Sequence, residues 1–153
     1  MKKWIFFLVF LMSLGLCGAC GHPGNETTGQ WSIAEESNRE FTDLLQLRIT
    51  ELDLTENRVT YEIDNSSKDT YCCGTGADFA LEVLQNGVWH KMRGDSSWAI
   101  TLESYTLNPG GSKTFSASLR ATLPAGTYRL VKELSLEESP QDTAFICCEF
   151  VIE

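Results

Sequence analysis

The stretch YTLNPGGSKTFSASLRATLPAGTYRLVKEL, residues 105–134, carries the pattern that decides the fold. Within it apolar residues alternate with polar ones in short runs, which include Phe115 and Leu130. Alternation with a period of two is typical of β-strands that bury one face. The segments NPGGS (108–112) and PAG (124–126) separate the runs and are rich in residues that favour turns. The stretch therefore predicts consecutive strands joined by tight turns.

The same alternation continues on both sides of this stretch. The other alternating runs are Leu45, Leu47 and Ile49; Val59, Tyr61 and Ile63; Phe79, Leu81 and Val83; and Ile146, Cys148, Phe150 and Ile152. The segment QNG, residues 85–87, predicts a hairpin turn, because Asn and Gly tolerate the positive φ that a two-residue loop requires. About seven short strands without a helical period indicate an all-β, antiparallel sandwich.

Three segments together resemble a family of bacterial immunoglobulin-like domains: the stretch above, TYEIDNSSKDTY (60–71) and AFICCEFVIE (144–153). The most specific part is LPAGTYR (123–129), in which Ala125 replaces a second proline of the family pattern. The resemblance covers roughly residues 46–153 and implies an immunoglobulin-like β-sandwich. The family is common in lipoproteins and cell-surface proteins of Gram-positive bacteria and has no established catalytic residues.

Gly126 and Tyr128 also have a structural interpretation. Their spacing is that of a tyrosine corner, in which the ring packs at the edge of a loop and its hydroxyl bonds nearby backbone. We therefore predict that Tyr128 supports the fold and does not act in a functional site.

The first twenty residues, MKKWIFFLVFLMSLGLCGAC, resemble a bacterial lipoprotein signal. Lys2 and Lys3 form its positive region and residues 4–16 its apolar region. We expect cleavage directly before Cys20 and lipid attachment to that residue, although Cys17 stands where an aliphatic residue is usual. Thirteen mostly apolar residues are too few to span ~30 Å of hydrocarbon at ~1.5 Å per residue. The prediction is a lipid anchor on the extracytoplasmic face of the cell membrane, with ordinary secretion as the alternative.

The chain divides into three parts by composition. Residues 1–19 form the predicted signal peptide, and residues 20–40 are rich in Gly, Ser, Thr, Asn and Glu without an apolar period. Such a composition is typical of a flexible tether. Residues 41–153 are the predicted immunoglobulin-like domain.

The charge of the chain excludes one class of partner. Without Lys2 and Lys3, ten Lys and Arg residues face twenty-one Asp and Glu residues, a net charge of −11 instead of −9. Nucleic-acid binding needs Lys and Arg contacts that release counterions, and the chain has no basic run. An acidic domain also avoids anionic headgroups, so the expected membrane contact is the N-terminal lipid.

Four cysteines lie in two adjacent pairs, Cys72-Cys73 and Cys147-Cys148. Three interpretations are open: structural disulfides between the pairs, which an extracytoplasmic location permits, a metal site, and a redox pair. Adjacent side chains on a strand face opposite sides, so one disulfide between the pairs is easier to form than two. For the same reason, four thiolates converge on one metal ion only with difficulty. The flanking residues carry no positive charge. The sequence thus favours disulfides, with no metal and no cofactor.

Other candidate chemistry is sparse. His22 and His90 are the only histidines, and the motifs of serine hydrolases, zinc proteases and P-loop proteins are missing from the sequence. We therefore expect no enzyme activity. The loop DNSSKD (64–69) has oxygen ligands for calcium but suits a solvated turn better. Trp89 and Trp98 form either a binding surface for a sugar or protein, or part of the core.

These features predict a non-enzymatic, lipid-anchored binding or accessory module of the cell envelope, whose partner is an unidentified envelope protein or glycan. The alternative is a thiol-redox or metal-handling lipoprotein that uses the two cysteine pairs. The first hypothesis requires inert cysteines, and the second requires reactive thiols or bound metal.

Overall fold

The computed structural model describes residues 31–94, 103–119 and 121–153. These residues form ten β-strands and no helix. In chain order the strands are β1 (Ser32–Glu36), β2 (Leu45–Asp53), β3 (Arg58–Asn65), β4 (Tyr71–Cys73), β5 (Ala80–Gln85), β6 (Val88–Arg93), β7 (Tyr105–Leu107), β8 (Ser112–Ser118), β9 (Gly126–Leu136) and β10 (Thr143–Ile152). Within the described part of the chain, no helix is long and apolar enough to cross a membrane.

Two antiparallel sheets make up the fold. The larger sheet is organised around β9, which pairs along one side with β10. On its other side β9 pairs first with β5, which leads to β6 and β1, and then with β4, which leads to β7. The smaller sheet has the order β2-β3-β8. This arrangement confirms the predicted all-β, antiparallel immunoglobulin-like sandwich.

The core lies between the sheets and consists of the apolar positions of the alternating runs. Its buried members are Leu45, Leu47, Val59, Tyr61, Ile63, Tyr71, Cys73, Leu81, Val83, Leu107, Phe115, Ala117, Leu119, Leu123, Tyr128, Leu130, Leu134, Ile146 and Ile152. Along β9 the even-numbered side chains from Tyr128 to Leu134 face this core, whereas the odd-numbered ones face outwards because successive strand residues point to opposite faces.

The hairpin predicted at residues 85–87 is confirmed. Asn86 has φ 51° and Gly87 has φ 82°, and they join β5 to β6 with Gln85 opposite Val88. Two consecutive residues with positive φ are the requirement of a tight hairpin turn whose twist matches that of the strands.

The first described strand lies inside the segment that we expected to be a tether. β1 pairs with β6, and the indole Nε1 of Trp31 donates a hydrogen bond to Leu119 O at 2.9 Å. The structure therefore assigns residues 31–40 to the domain and corrects the expected tether of residues 20–40. Sequence composition missed β1 because its residues are mostly polar and exposed, so they show no apolar alternation.

Candidate functional site

The tyrosine corner is present at the start of β9. Tyr128 Oη donates a hydrogen bond to Pro124 O at 2.8 Å. A Cβ atom at Gly126 would lie 3.3 Å from the Tyr128 ring, so glycine allows the ring to pack closely. The ring also stacks on Phe150, with centroids 5.6 Å apart. These contacts assign Gly126 and Tyr128 to the fold.

The two cysteine pairs lie on opposite sides of β9. Cys73 is opposite Leu134, whereas Cys148 is opposite Leu130, so β9 runs between them. Strand spacings place their Cα atoms roughly 10 Å apart across the sheet and roughly 13 Å apart along it. A disulfide requires a Cα separation of about 4.4–6.8 Å. All four thiols are free in the structure, which corrects the expected bridge between the pairs.

Two of the four thiols, Cys73 and Cys147, lack the lowered pKa of redox-active cysteines. Burial raises the pKa of Cys73, although nearby Lys132 partly opposes the shift. Burial likewise raises the pKa of Cys147, and Arg129 opposes it only in part. A raised pKa lowers the thiolate fraction, and the thiolate is the reactive form. Among the described residues no group of three or more His, Cys, Asp or Glu side chains is placed to hold a metal.

The loop DNSSKD is held as a turn by its asparagine. The Asn65 Nδ2 atom donates to Asp69 O and Leu107 O, and its Oδ1 accepts from the Ser67 backbone N–H and hydroxyl. Arg48 pairs with Asp64 at 2.9 Å. The Asp64 carboxylate and the Asn65 amide oxygen are therefore committed to other partners, which favours the structural interpretation of this loop.

Trp89 lies on the outer face of the large sheet beside a buried ion cluster centred on Glu82. The Glu82 side chain has no solvent exposure and accepts from Arg129 Nε at 2.7 Å, Arg39 Nη1 at 2.6 Å and Ser37 Oγ at 2.6 Å. The Arg129 guanidinium lies 4.3 Å from the centroid of the Trp89 ring. Trp89 therefore belongs neither to the core between the sheets nor to a fully exposed aromatic platform.

Residues 37–41, which we call the strap, cross this outer face between β1 and β2. Ser37 N–H donates to Trp89 O on β6, and Thr42 N–H donates to Phe145 O on β10. The Phe41 ring lies 4.7 Å from the Arg129 guanidinium. The strap thus covers the Glu82–Arg129 pair. Its contacts do not extend to the adjacent row of outward-facing residues, which contains Leu84.

That adjacent row is largely apolar and partly exposed. Leu84 lies opposite Trp89, and Thr127 lies opposite Val151. The pairing of Val83 with Tyr128, continued by one residue, places Leu84 beside Thr127. Leu84 is 36% exposed and Val151 is 62% exposed. We call these four residues on β6, β5, β9 and β10 the outer row.

A concave region lies towards the other end of β9. A cavity of about 400 Å³ is lined by residues that include Cys72, Asp78, Glu133 and Thr143. Its lining is mainly polar, and the two carboxylates give it an acidic character. We call this region the Cys72 cavity.

Two predicted site residues lie outside the described residues: Cys20 and Trp98. Sequence reasoning missed Glu82, Leu84 and Val151. No local signal marked them: Glu82 lies between the core positions Leu81 and Val83, so the sequence pattern predicts that it faces water. Its burial follows from the structure alone.

A two-sheet antiparallel sandwich with a tyrosine corner is typical of an immunoglobulin-like domain. The chain belongs to the bacterial Ig-like domain family, whose model matches residues 38–146. Domains of this kind are typically non-catalytic, and the family indicates a module of the cell surface.

Solved structures add distant likenesses. One is a target of the Northeast Structural Genomics Consortium, with a TM-score of 0.40 and 11% identity over 81% of this chain and 84% of the other. Another is a Bordetella pertussis protein described as ApaA, with a TM-score of 0.35 and 12% identity over 82% of this chain and 88% of the other. A search of curated proteins finds no match.

Proposed function

We propose that the protein is a lipid-anchored, extracytoplasmic binding module of the cell envelope and that the outer row is its contact surface. The observation that supports this most strongly is the exposure of Leu84 and Val151 on one row of the large sheet. Exposed apolar groups that form a row favour a protein partner, because burial of apolar area drives association.

The position of Trp89 favours a protein over a glycan. Its ring is half-buried, and one side of it is occupied by the Arg129 guanidinium at 4.3 Å. An aromatic platform for a sugar needs an open ring face, whereas a protein surface can use the aliphatic side chains beside it. The proposed partner is therefore an envelope protein.

Charge further restricts the partner. Glu149 and Glu153 are exposed on and beyond β10, close to Val151, and the whole chain has a net charge of −9. Complementary charge steers association and disfavours wrong partners. We infer a partner surface with an apolar centre and basic residues at its rim.

The proposed anchor is the lipid on Cys20, and it keeps the domain near the membrane. Ten residues, 21–30, lie between Cys20 and Trp31. A chain of ten residues reaches at most roughly 33–36 Å. The partner would then be a membrane protein or a component close to the membrane surface.

The anchor is tested by the substitution Cys20→Ala with Cys17→Ala as the matched control. We expect Cys20→Ala to release the chain from the membrane fraction and to remove the acyl mass from its N-terminal peptide. Cys17→Ala should leave both unchanged. Retention of an acylated Cys20→Ala protein in the membrane would contradict the proposal.

The contact surface is tested by Leu84→Asp, with Leu54→Asp as control because Leu54 is also exposed and apolar but lies between β2 and β3. Chemical cross-linking in intact cells, followed by detection of this chain, measures the complex. We expect Leu84→Asp to reduce the cross-linked complex about tenfold, which corresponds to ~1.4 kcal/mol, and Leu54→Asp to leave it unchanged. Equal loss in both variants, or in neither, would overturn the assignment.

A further inference from the structure

The loop between β4 and β5 is built around the side chain of Lys132. This lysine lies on the core face of β9 and has a fully buried side chain. Its Nζ donates to Thr75 O at 2.8 Å and also to Asp78 O. A buried charge normally needs a close ionised partner, yet this amine is hydrogen-bonded mainly by two neutral carbonyls.

The carboxyl group of Asp78 faces the remaining side of the amine. Asp78 Oδ2 lies 3.7 Å from Lys132 Nζ, which is longer than a charge-assisted hydrogen bond. The position of this carboxyl group depends on Gly74, because a Cβ atom there would collide with it. The loop geometry therefore fixes an amine and a carboxyl group side by side.

The stereochemistry of the nitrogen suits attack on that group. A neutral amine has two hydrogens, and the Thr75 and Asp78 carbonyls can accept both. Its lone pair then points away from these two carbonyls, and the Asp78 carboxyl group lies beside the nitrogen, with Oδ2 3.7 Å from Nζ. Burial lowers the pKa of Lys132, although Asp78 opposes the shift, and so increases the neutral fraction. The Phe115 ring, 5.9 Å from Nζ, contributes an apolar neighbour.

We propose that Lys132 Nζ and Asp78 Cγ form an intramolecular amide bond. The nitrogen bonds to the carboxyl carbon, and the bond from that carbon to one carboxyl oxygen breaks. This oxygen leaves as water, which carries one proton from the amine and one from solvent. The Asp78 side chain is 45% exposed, so the carboxyl group can take the required proton from solvent and release the water there. No oxidant or cofactor is needed. The fixed orientation of the two groups accelerates the reaction, because well-placed intramolecular groups reach effective molarities of about 10⁵–10⁸ M.

The bond would join the centre of β9 to the loop that follows β4. The two residues are 54 positions apart in the chain. It would act as the covalent brace that the free cysteines do not provide in this structure. This inference is independent of the proposed binding function, because it concerns the core and not the outer row.

The intact mass of the full chain from its native envelope tests the proposal directly. We expect the wild-type protein to be one water molecule lighter than its sequence and processing require, and Asp78→Ala to show no such loss. Digestion with trypsin should yield a branched peptide that contains both Lys132 and Asp78. Asp69→Ala, a substitution of another loop aspartate, is the control and should keep the loss.

A second variant distinguishes the amide bond from a cyclic imide, whose formation also releases one water molecule. In Lys132→Arg the amine is removed, so we expect the full sequence mass. Loss of water that persists in Lys132→Arg would assign it to an imide and overturn the proposal. If the wild-type protein has its full sequence mass, the proposal is also wrong. This result does not depend on whether either variant folds.

Discussion

The outer row and the Cys72 cavity lie towards opposite ends of the outer face of the large sheet, and their characters are opposite. The row is largely apolar and exposed at Leu84 and Val151, whereas the cavity is concave, polar and acidic. The cavity has the shape of a ligand site and contains a thiol, but its cysteines lack a disulfide partner and a metal cluster among the described residues. In the proposed function the partly exposed apolar row, and not the pocket, is therefore the binding surface.

The strap and the Glu82 cluster lie between these two regions. They cover the middle of the outer face, where the Glu82 carboxylate is buried and paired with the guanidinium groups of Arg39 and Arg129. A change in this cluster should therefore disturb both regions, whereas a change within one region should leave the other intact.

The largest expected effect is that of Glu82→Ala. It would leave the buried Arg129 guanidinium without its carboxylate partner. Removal of one partner of a buried ion pair lowers the free energy of unfolding by about 3–5 kcal/mol. Denaturant unfolding measures the loss. Glu62→Ala is the matched control, because Glu62 pairs with Arg48 at the surface and such pairs contribute about 0–1 kcal/mol. Similar losses in the two variants would show that the Glu82 cluster does not hold the middle of the sheet.

A smaller effect is expected from Arg39→Gln, which loosens the strap but leaves the Glu82–Arg129 pair in place. The Arg39 side chain is 22% exposed, and a hydrogen bond to a charged group contributes about 1.5–3 kcal/mol. We expect a loss near the lower end of this range and faster amide exchange in residues 37–41. Arg48→Gln, at an exposed pair, is the control. Unchanged exchange in the strap would contradict its dependence on Arg39.

The buried thiol of Cys73 should have a modest effect on the pH dependence of stability. Its pKa is raised in the folded protein, so the unfolded chain ionises first as the pH rises. The stability that the buried neutral thiol contributes is fully present below the pKa of the unfolded chain, about 8.5. It is lost as the pH rises from that value through the pKa of the folded protein. We expect the free energy of unfolding to fall less steeply between about pH 8 and pH 10 in Cys73→Ala than in the wild type.

A core substitution without a titratable group controls this prediction. Val59→Ala shortens a buried side chain of the small sheet, so it should lower the free energy of unfolding and keep the wild-type slope with pH. A Val59→Ala slope that matched Cys73→Ala would contradict the assignment of the effect to the Cys73 thiol.

The smallest expected effect is that of Cys72→Ser on the cross-linked envelope complex. If the cavity takes no part in binding, the amount of complex should equal that of the wild type. Loss of the complex in this variant, with normal folding, would move the working surface from the outer row to the Cys72 cavity.

The sequence predicts the sandwich well because most strands bury one face and so alternate visibly, as Val59, Tyr61 and Ile63 do. It fails at β1, whose exposed residues do not alternate, and at β4, which has three residues. The hairpin at Asn86-Gly87 was predictable because its chemistry is local. The cysteine pairing was not, because it depends on which strands lie beside β9, and this is a long-range property.

The candidate surface was predictable only in part. Trp89 could be singled out from its residue type, but its position under Arg129 follows from the pairing of three strands. Leu84 and Val151 become neighbours of one row only through the register of β5, β9 and β10. A single chain carries no local signal for such a row, since these residues are far apart in sequence.

The most direct test of the account is site-specific photo-cross-linking in intact cells, with the photoreactive residue placed either at Val151 or at Cys72. Both positions lie on the outer side of the large sheet, so the comparison holds the sheet, the anchor and the cell constant. The account predicts a discrete protein adduct from Val151 and none from Cys72. An adduct from Cys72 alone would contradict it and would make the cavity the binding site.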